Sequence, residues 1–160
     1  MGKSVENMKF GGTMRNKDIH NIALTSRSAI LKAKLNREFN ISDRMYNFPG
    51  GCCDDSCDLF AYYLYNAYNI HTKQGNGVYR HNNPNNTTNH AWLIMNDGTI
   101  IDITADQFDF FEGYAEGVYV GKENFFYKRL EDKRILENYD ITQCTRLWND
   151  YQTIMNYIVI

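Results

Sequence analysis

His90-Ala91-Trp92-Leu93-Ile94-Met95-Asn96-Asp97-Gly98-Thr99-Ile100-Ile101-Asp102-Ile103-Thr104 is the stretch on which the fold turns. Two runs rich in β-branched and apolar residues flank Asn96-Asp97-Gly98. The segment therefore reads as a β-hairpin with a three-residue loop, Gly98 taking the left-handed position. That loop length sets a register in which Met95 faces Thr99, Trp92 faces Asp102 and His90 faces Thr104. Residues 90, 92, 102 and 104 then share one face, and His90 and Asp102 become diagonal neighbours about 7 Å apart at the backbone. A two-residue loop would place them on opposite faces. An imidazole with a carboxylate in reach is an oriented proton shuttle in the making.

Upstream, Phe48-Pro49-Gly50-Gly51 is a strong breaker run. It delivers Cys52 and Cys53 to a helix predicted over residues 53–68, where Cys57, Phe60, Ala61, Leu64, Tyr65 and Tyr68 recur at helical spacing. A thiol at a helix start feels the positive end of the helix dipole, and a neighbouring imidazolium stabilises its thiolate further. Gly50 and Gly51 let the backbone approach a substrate carbonyl, and the N–H of Cys53 has no partner within its helix, so it is available to an oxyanion. Asp54 and Asp55 are predicted as a solvated first turn that complements the dipole. As an acidic neighbour, Asp54 works against thiol activation.

The rest of the chain frames this pair of segments. Residues 1–17 are polar, contain Gly11-Gly12 and read as a loosely held arm. Asp18 is expected to cap a helix to about Glu38, with Ile19, Ile22, Ala23, Ala29, Ile30, Ala33 and Leu35 as its apolar positions. Residues 71–89 are polar, with a short strand expected at Gly77–Arg80 and loop over Asn82–Asn89. Further strands are expected near Gly117–Val120 and Phe125–Lys128, helix or loop over 129–138, and a last helix from Thr142 to about Ile158. There is no internal repeat and no linker, so residues 18–160 are expected to form one domain.

Composition bounds the function. The chain has 160 residues, 43% hydrophobic and 22% charged, with twelve Tyr and nine Phe. These are globular values, and the length supports a core without disulfides. Net charge is −2 and the pI is about 6.1, so no basic field exists for a nucleic-acid backbone and no nucleic-acid partner is expected. No apolar run is long enough to span a membrane, and Met1-Gly-Lys-Ser-Val-Glu-Asn is unlike a secretory signal or a myristoylation site. The chain is expected to be cytoplasmic at synthesis and membrane-free, with signal-independent export open to it. Its four cysteines are Cys52, Cys53, Cys57 and Cys144. Three cluster within six residues, a pattern that reads as catalytic or metal-binding before it reads as disulfides.

Gly51-Cys52-Cys53 at a helix start, His90-Ala91-Trp92-Leu93, and Ile101-Asp102-Ile103-Thr104, in that order, resemble the papain-like and transglutaminase-like cysteine superfamily. With Phe48-Pro49 and Ala105-Asp106-Gln107-Phe108, the likeness covers residues 47–108 and is similar to a bacterial and phage subgroup. The resemblance implies an α+β fold in which a central helix carries the cysteine and packs on an antiparallel sheet that carries His and Asp. By position it selects Cys53 as nucleophile, His90 as base and Asp102 as orienter. Asn47 stands where papain-like proteases place an oxyanion glutamine. The implied activity is a thiol-dependent hydrolase or acyltransferase: a glutamine deamidase, a transglutaminase-like enzyme or a peptidase. The implied partner is a protein or peptide substrate bearing a carboxamide. The short chain favours a side-chain amide or short peptide, and compact members resemble secreted effectors and toxin domains. No metal or organic cofactor is implied.

Other readings stand beside this one. Cys52 is the alternative nucleophile. Cys57, a helical turn after Cys53, is expected to face the core and Cys144 to pack. Cys52, Cys53, Cys57 and His90 have the side chains of a zinc site, though two adjacent cysteines point apart. Asp106 replaces Asp102 if the register slips, and Gln107 is a further amide near the site. His20, His71 and His81 are expected to be solvated, and Trp92 to sit in the core. In a different functional class, the same fold makes a non-catalytic protein-binding module with an unreactive Cys53.

Overall fold

The computed structural model describes residues 14–108 and 117–158. Along the chain run α1 (Asn16–Leu35), α2 (Cys53–Tyr68), β1 (Thr72–Arg80), β2 (Thr87–Met95), β3 (Ile100–Asp102), β4 (Tyr119–Gly121), α3 (Phe125–Arg129), β5 (Glu131–Leu136) and α4 (Thr145–Met155). Short 3-10 turns lie at Arg44–Asn47, Ala105–Gln107 and Ile141–Gln143.

The hairpin register follows from its loop. Leu93 pairs with Ile101 and Ile94 with Ile100, which sets Trp92 opposite Asp102. The Met95 N–H donates to the Thr99 carbonyl at 2.8 Å, and Gly98 holds φ +86°, the left-handed conformation that closes the turn. The strands form a five-stranded sheet in the order β4-β3-β2-β1-β5, antiparallel at every pairing. Helices pack on this sheet, and the class is α+β.

Alternation along β2 and β3 gives the sheet two different faces. Ala91, Leu93 and Ile101 join the main core with residues of α1, α2 and α4. Trp92 and Ile100 join a small aromatic core with Tyr79, Phe108, Phe126, Tyr127 and Leu130. Opposite Trp92, β1 carries no side chain: a Cβ on Gly75 would lie 2.4 Å from the Trp92 indole. Small residues in β1 are the space into which Trp92 fits.

Several sequence expectations change. The strand foreseen at Gly77–Arg80 is the end of the nine-residue β1, because its first half is polar and glycine-rich yet pairs fully with β2. Thr87, Thr88 and Asn89, expected as loop, open β2. Phe125–Lys128, expected as a strand, lies in α3, whose turn is nucleated by the Asn124 side chain accepting from the Phe126 and Tyr127 N–H groups. The stretch read as helix or loop over 129–138 holds the edge strand β5, exposed along its whole length, with Asp132 at φ +50° where the ladder shifts. The first helix starts at Asn16 after Arg15, so Asp18 lies in its first turn rather than capping it. That helix ends at Leu35, which is exposed, while Arg27 joins the buried face. The last helix is shorter than expected, and Leu147, Tyr151 and Ile154 form its buried apolar stripe. Most of the expected arm, residues 1–13, lies outside the described residues, and its last two, Asn16 and Lys17, begin α1. Among the described residues no helix is long and apolar enough to cross a membrane.

Candidate active site

The loop that leads to Cys53 is built by short-range bonds. Asp43 caps the turn at Arg44–Asn47 by accepting from the Met45 N–H at 2.9 Å. Phe48 is buried; the Lys34 ammonium donates to its carbonyl at 2.6 Å, and the Arg27 guanidinium lies 5.3 Å over its ring. Gly51, at φ +70°, then turns the chain into α2. Cys52 is the N-cap and its side chain caps nothing, so no capping group competes for the first-turn amides at Cys53. Cys53 is 9% exposed, and its thiol lies 4.0 Å from the Asn89 carbonyl. That contact sets the cysteine of α2 against the first residues of β2.

Asp54 is not a free solvated charge. Arg44 grips both its oxygens, at 2.6 and 3.0 Å, and also donates to the Gly51 carbonyl at 3.1 Å. The Asp54 hydrogen bond, working against burial and joined by the charges of Asp54, Asp55 and Cys53, raises the Arg44 pKa above its ordinary value. The fork therefore cancels much of the negative charge beside Cys53 and pins the Gly51 carbonyl before it. Asp55 is buried, against the solvated expectation. It accepts from Arg146 of α4 at 3.0 Å, and Arg146 also donates to Asp43 at 3.0 Å.

His90 and Asp102 meet as the register requires. His90 Nε2 is 2.6 Å from Asp102 Oδ2, and each residue is 1% exposed. The other ring nitrogen, Nδ1, is buried and makes no hydrogen bond of standard geometry. Burial opposes a charged ring. The charge and hydrogen bond of Asp102 override it, Cys53 adding smaller contributions of the same kinds, and the His90 pKa is pushed up to about 9. Trp92 stacks on the ring at 5.9 Å, and Phe108 and Phe126 meet it at 5.1 and 6.0 Å.

Asp102 is held on both oxygens. Thr104 donates its N–H and its hydroxyl to Oδ1, at 3.0 and 3.4 Å. Tyr127 of α3 donates its phenol to Oδ2 at 2.8 Å, beside His90. The strand end is tied down from α1: Arg27 donates to the Ile103 carbonyl at 2.6 Å and grips Asp106 at 2.6 and 3.0 Å. One buried guanidinium thus touches both the loop before Cys53 and the turn after Asp102.

No family model, curated protein or solved structure matches this chain. The chemistry of the site is therefore argued from its geometry. Cys53, His90 and Asp102, far apart in sequence, come together. Cys52 does not join them: it is fully buried, its thiol accepts from the Ser56 hydroxyl at 3.6 Å, and burial pushes its pKa up to about 11. Cys57 is buried, and desolvation, with the charges of Cys53 and Asp102, drives its thiol well above the ordinary value. Cys144 packs, partly buried, against the main core. Among the described residues no three His, Cys, Asp or Glu side chains are placed to hold a metal ion, so the zinc reading has no site; Cys52 and Cys53 diverge at the helix start. Asn47 closes its turn with an exposed side chain and accepts from the Gly50 N–H through its carbonyl. Asp106 is committed to Arg27, so it is no substitute for Asp102, and the Gln107 amide is buried. His81, expected to be solvated, is half-buried and bonded to the Thr88 hydroxyl at 2.7 Å. A cavity of about 260 Å³ is lined by Leu24, Thr25, Ser28, Lys32 and Tyr157, away from the Cys53–His90–Asp102 group.

Sequence reasoning missed Arg44, Arg27, Arg146 and Tyr127. Tyr127 reaches Asp102, Arg27 reaches Ile103 and Asp106, and Arg146 reaches Asp43 and Asp55 across 25 to 103 positions, with no local motif to mark them. Arg44 is ten positions from Asp54, across the breaker run, where no periodicity links the two.

Proposed function

We propose that this chain is a thiol-dependent acyl-transfer enzyme of papain-like or transglutaminase-like design, acting on a carboxamide of a protein or peptide. The observation that carries the reading is the buried 2.6 Å His90–Asp102 pair beside a cysteine at the first turn of a helix. Cys53 loses its proton to His90 and attacks the carbonyl carbon, forming a C–S bond. The carbonyl electron pair moves to oxygen, where the Cys53 N–H, with Asn47 as the candidate side-chain donor, stabilises the negative charge. As the C–N bond breaks, the imidazolium gives its proton to the leaving nitrogen. Water or an amine, deprotonated by His90, then attacks the thioester, and the Cys53 thiolate leaves. Water gives hydrolysis or deamidation, and an amine gives transamidation.

A second reading has one observation behind it. Cys53 and His90 are nearly closed off from solvent among the described residues, as they would be in a binding module with an inert thiol. Iodoacetamide labelling against pH, with the modified cysteine located by mass spectrometry, separates the two. Fast labelling of Cys53 below pH 7 that is lost in His90→Ala is expected. Slow labelling of every cysteine, indifferent to His90, would overturn the enzyme and favour the module.

A further inference from the structure

We propose that Tyr127 is a positioning residue of this site, fixing the Asp102 carboxylate and sharing with His90 the oxygen that orients the imidazole. The inference rests on the acyl-transfer reading above and concerns how strongly His90 holds its proton.

Asp102 Oδ2 receives two donors, His90 Nε2 at 2.6 Å and the Tyr127 hydroxyl at 2.8 Å. Oδ1 is separately occupied by Thr104. An oxygen that accepts from two donors divides its negative charge between them, so the phenol weakens the pull of Asp102 on the imidazolium. This matters because the pair is out of water, where a carboxylate acting on His90 alone holds the proton most tightly. A base that keeps its proton cannot deliver it to a leaving nitrogen. Tyr127 also restricts the carboxylate plane, together with Thr104, so that Oδ2 stays aimed at Nε2.

The groups that bear on His90 come from each element around it. Asp102 of β3 and Cys53 of α2 act on the ring directly, Tyr127 of α3 shares the Asp102 oxygen, Cys57 of α2 lies in the fields of Cys53 and Asp102, and Tyr79 of β1 packs on Phe108, which meets the ring. Of the other charges, Asp106 is paired with Arg27 and Asp54 with Arg44. Arg129 lies 5.1 Å over the Tyr79 ring. Within this set Tyr127 is the neutral donor that shares the oxygen bound to His90, so its hydroxyl is the atom to remove.

Tyr127→Phe deletes that hydroxyl and leaves the ring packed on Trp92 and Phe126, at 5.2 and 5.1 Å in the native chain. The ring Cε1 proton of His90 is followed by NMR against pH in the full native chain and in Tyr127→Phe, with the signal assigned by its loss in His90→Ala. The midpoint is expected to rise in Tyr127→Phe by about half a unit or more, and the alkaline limb of Cys53 alkylation to move with it. A midpoint that stays put or falls would overturn the proposal and leave Tyr127 as core packing. The two levels separate cleanly. An inert Cys53 sinks the acyl-transfer reading while the His90 midpoint still reports on Tyr127. A reactive Cys53 with an unmoved midpoint sinks only the role of Tyr127. Should Tyr127→Phe fail to fold, the native hydroxyl proton of Tyr127, slowed in exchange by burial, is followed instead. It is expected to shift with the midpoint of His90, and independence from that midpoint would equally overturn the proposal.

Discussion

Arg44 changes what Asp54 means. Read along the chain, an aspartate directly after Cys53 opposes a thiolate there. In the folded chain its two oxygens are taken by Arg44, which also holds the Gly51 carbonyl. Arg44→Ala is therefore expected to slow Cys53 alkylation at neutral pH by up to about tenfold, the equivalent of one pKa unit. Adding Asp54→Ala is expected to restore most of the rate. Alkylation kinetics of the two single variants and the double variant check this, and equal rates in all would remove Arg44 from the site. At the same scale, Cys52→Ser is expected to leave labelling at Cys53 intact, because the Cys52 thiol is buried beside Ser56 with its pKa pushed up to about 11.

Among the elements, the short α3 and the strand β1 do most to shape the site. The side chain of Asn124 caps α3, and α3 carries Tyr127 to Asp102. Asn124→Ala is expected to cost about 1 kcal/mol in urea unfolding, the ordinary worth of an N-cap. It should also move the His90 midpoint in the same direction as Tyr127→Phe, because α3 would be less firmly placed. In β1, Gly75 leaves the room that Trp92 fills, and Trp92 in turn stacks on His90. A methyl group there would lie 2.4 Å from a rigid indole. Gly75→Ala is thus expected to destabilise by about 1–3 kcal/mol, an overpacking cost, measured as a lower urea midpoint. An unchanged midpoint would mean that the indole has room to move.

At the scale of the whole molecule, buried acids give the stability of the apolar cores a dependence on pH. Asp43, Asp55 and Asp150 surround Arg146, joining the loop before Cys53, the first turn of α2 and α4. Burial, with Asp43 close by, pushes the Asp150 carboxyl up to about 8, and burial pushes Asp58 up to about 7. A carboxyl whose pKa is higher folded than unfolded contributes stability that is complete below about pH 4 and is lost as pH rises through its folded value. For Asp150 that loss is complete above about pH 8. Asp150→Asn is expected to abolish this slope, so thermal melts should show the variant gaining on the native chain between about pH 4 and about 8. A constant difference across that range would show that Asp150 stays ionised throughout. His90 acts in the same sense. Its raised pKa contributes stability below 6.5 that disappears as pH passes about 9, and His90→Ala should flatten that part of the profile.

What the amino-acid order determined by itself was local and periodic. The three-residue turn and the alternation in residues 90–104 set the register that brings His90 to Asp102, because side chains in a strand repeat every two residues and loop length decides which faces match. The breaker run and the apolar spacing after it placed Cys53 at the start of its helix, because helix ends are marked by short-range chemistry. Phe125-Phe126-Tyr127 misled as a strand, since aromatic runs favour strands and one capping asparagine outweighed that preference over five residues. The exposed charged strand β5 had no periodicity to read. Only the tertiary structure decided that Arg44 covers Asp54, that Asp55 is buried under Arg146, that Arg27 bridges both halves of the site, and that Tyr127 completes Asp102. Those contacts join segments that carry no mark of one another, because a buried polar group takes whichever partner the packing brings within hydrogen-bond distance.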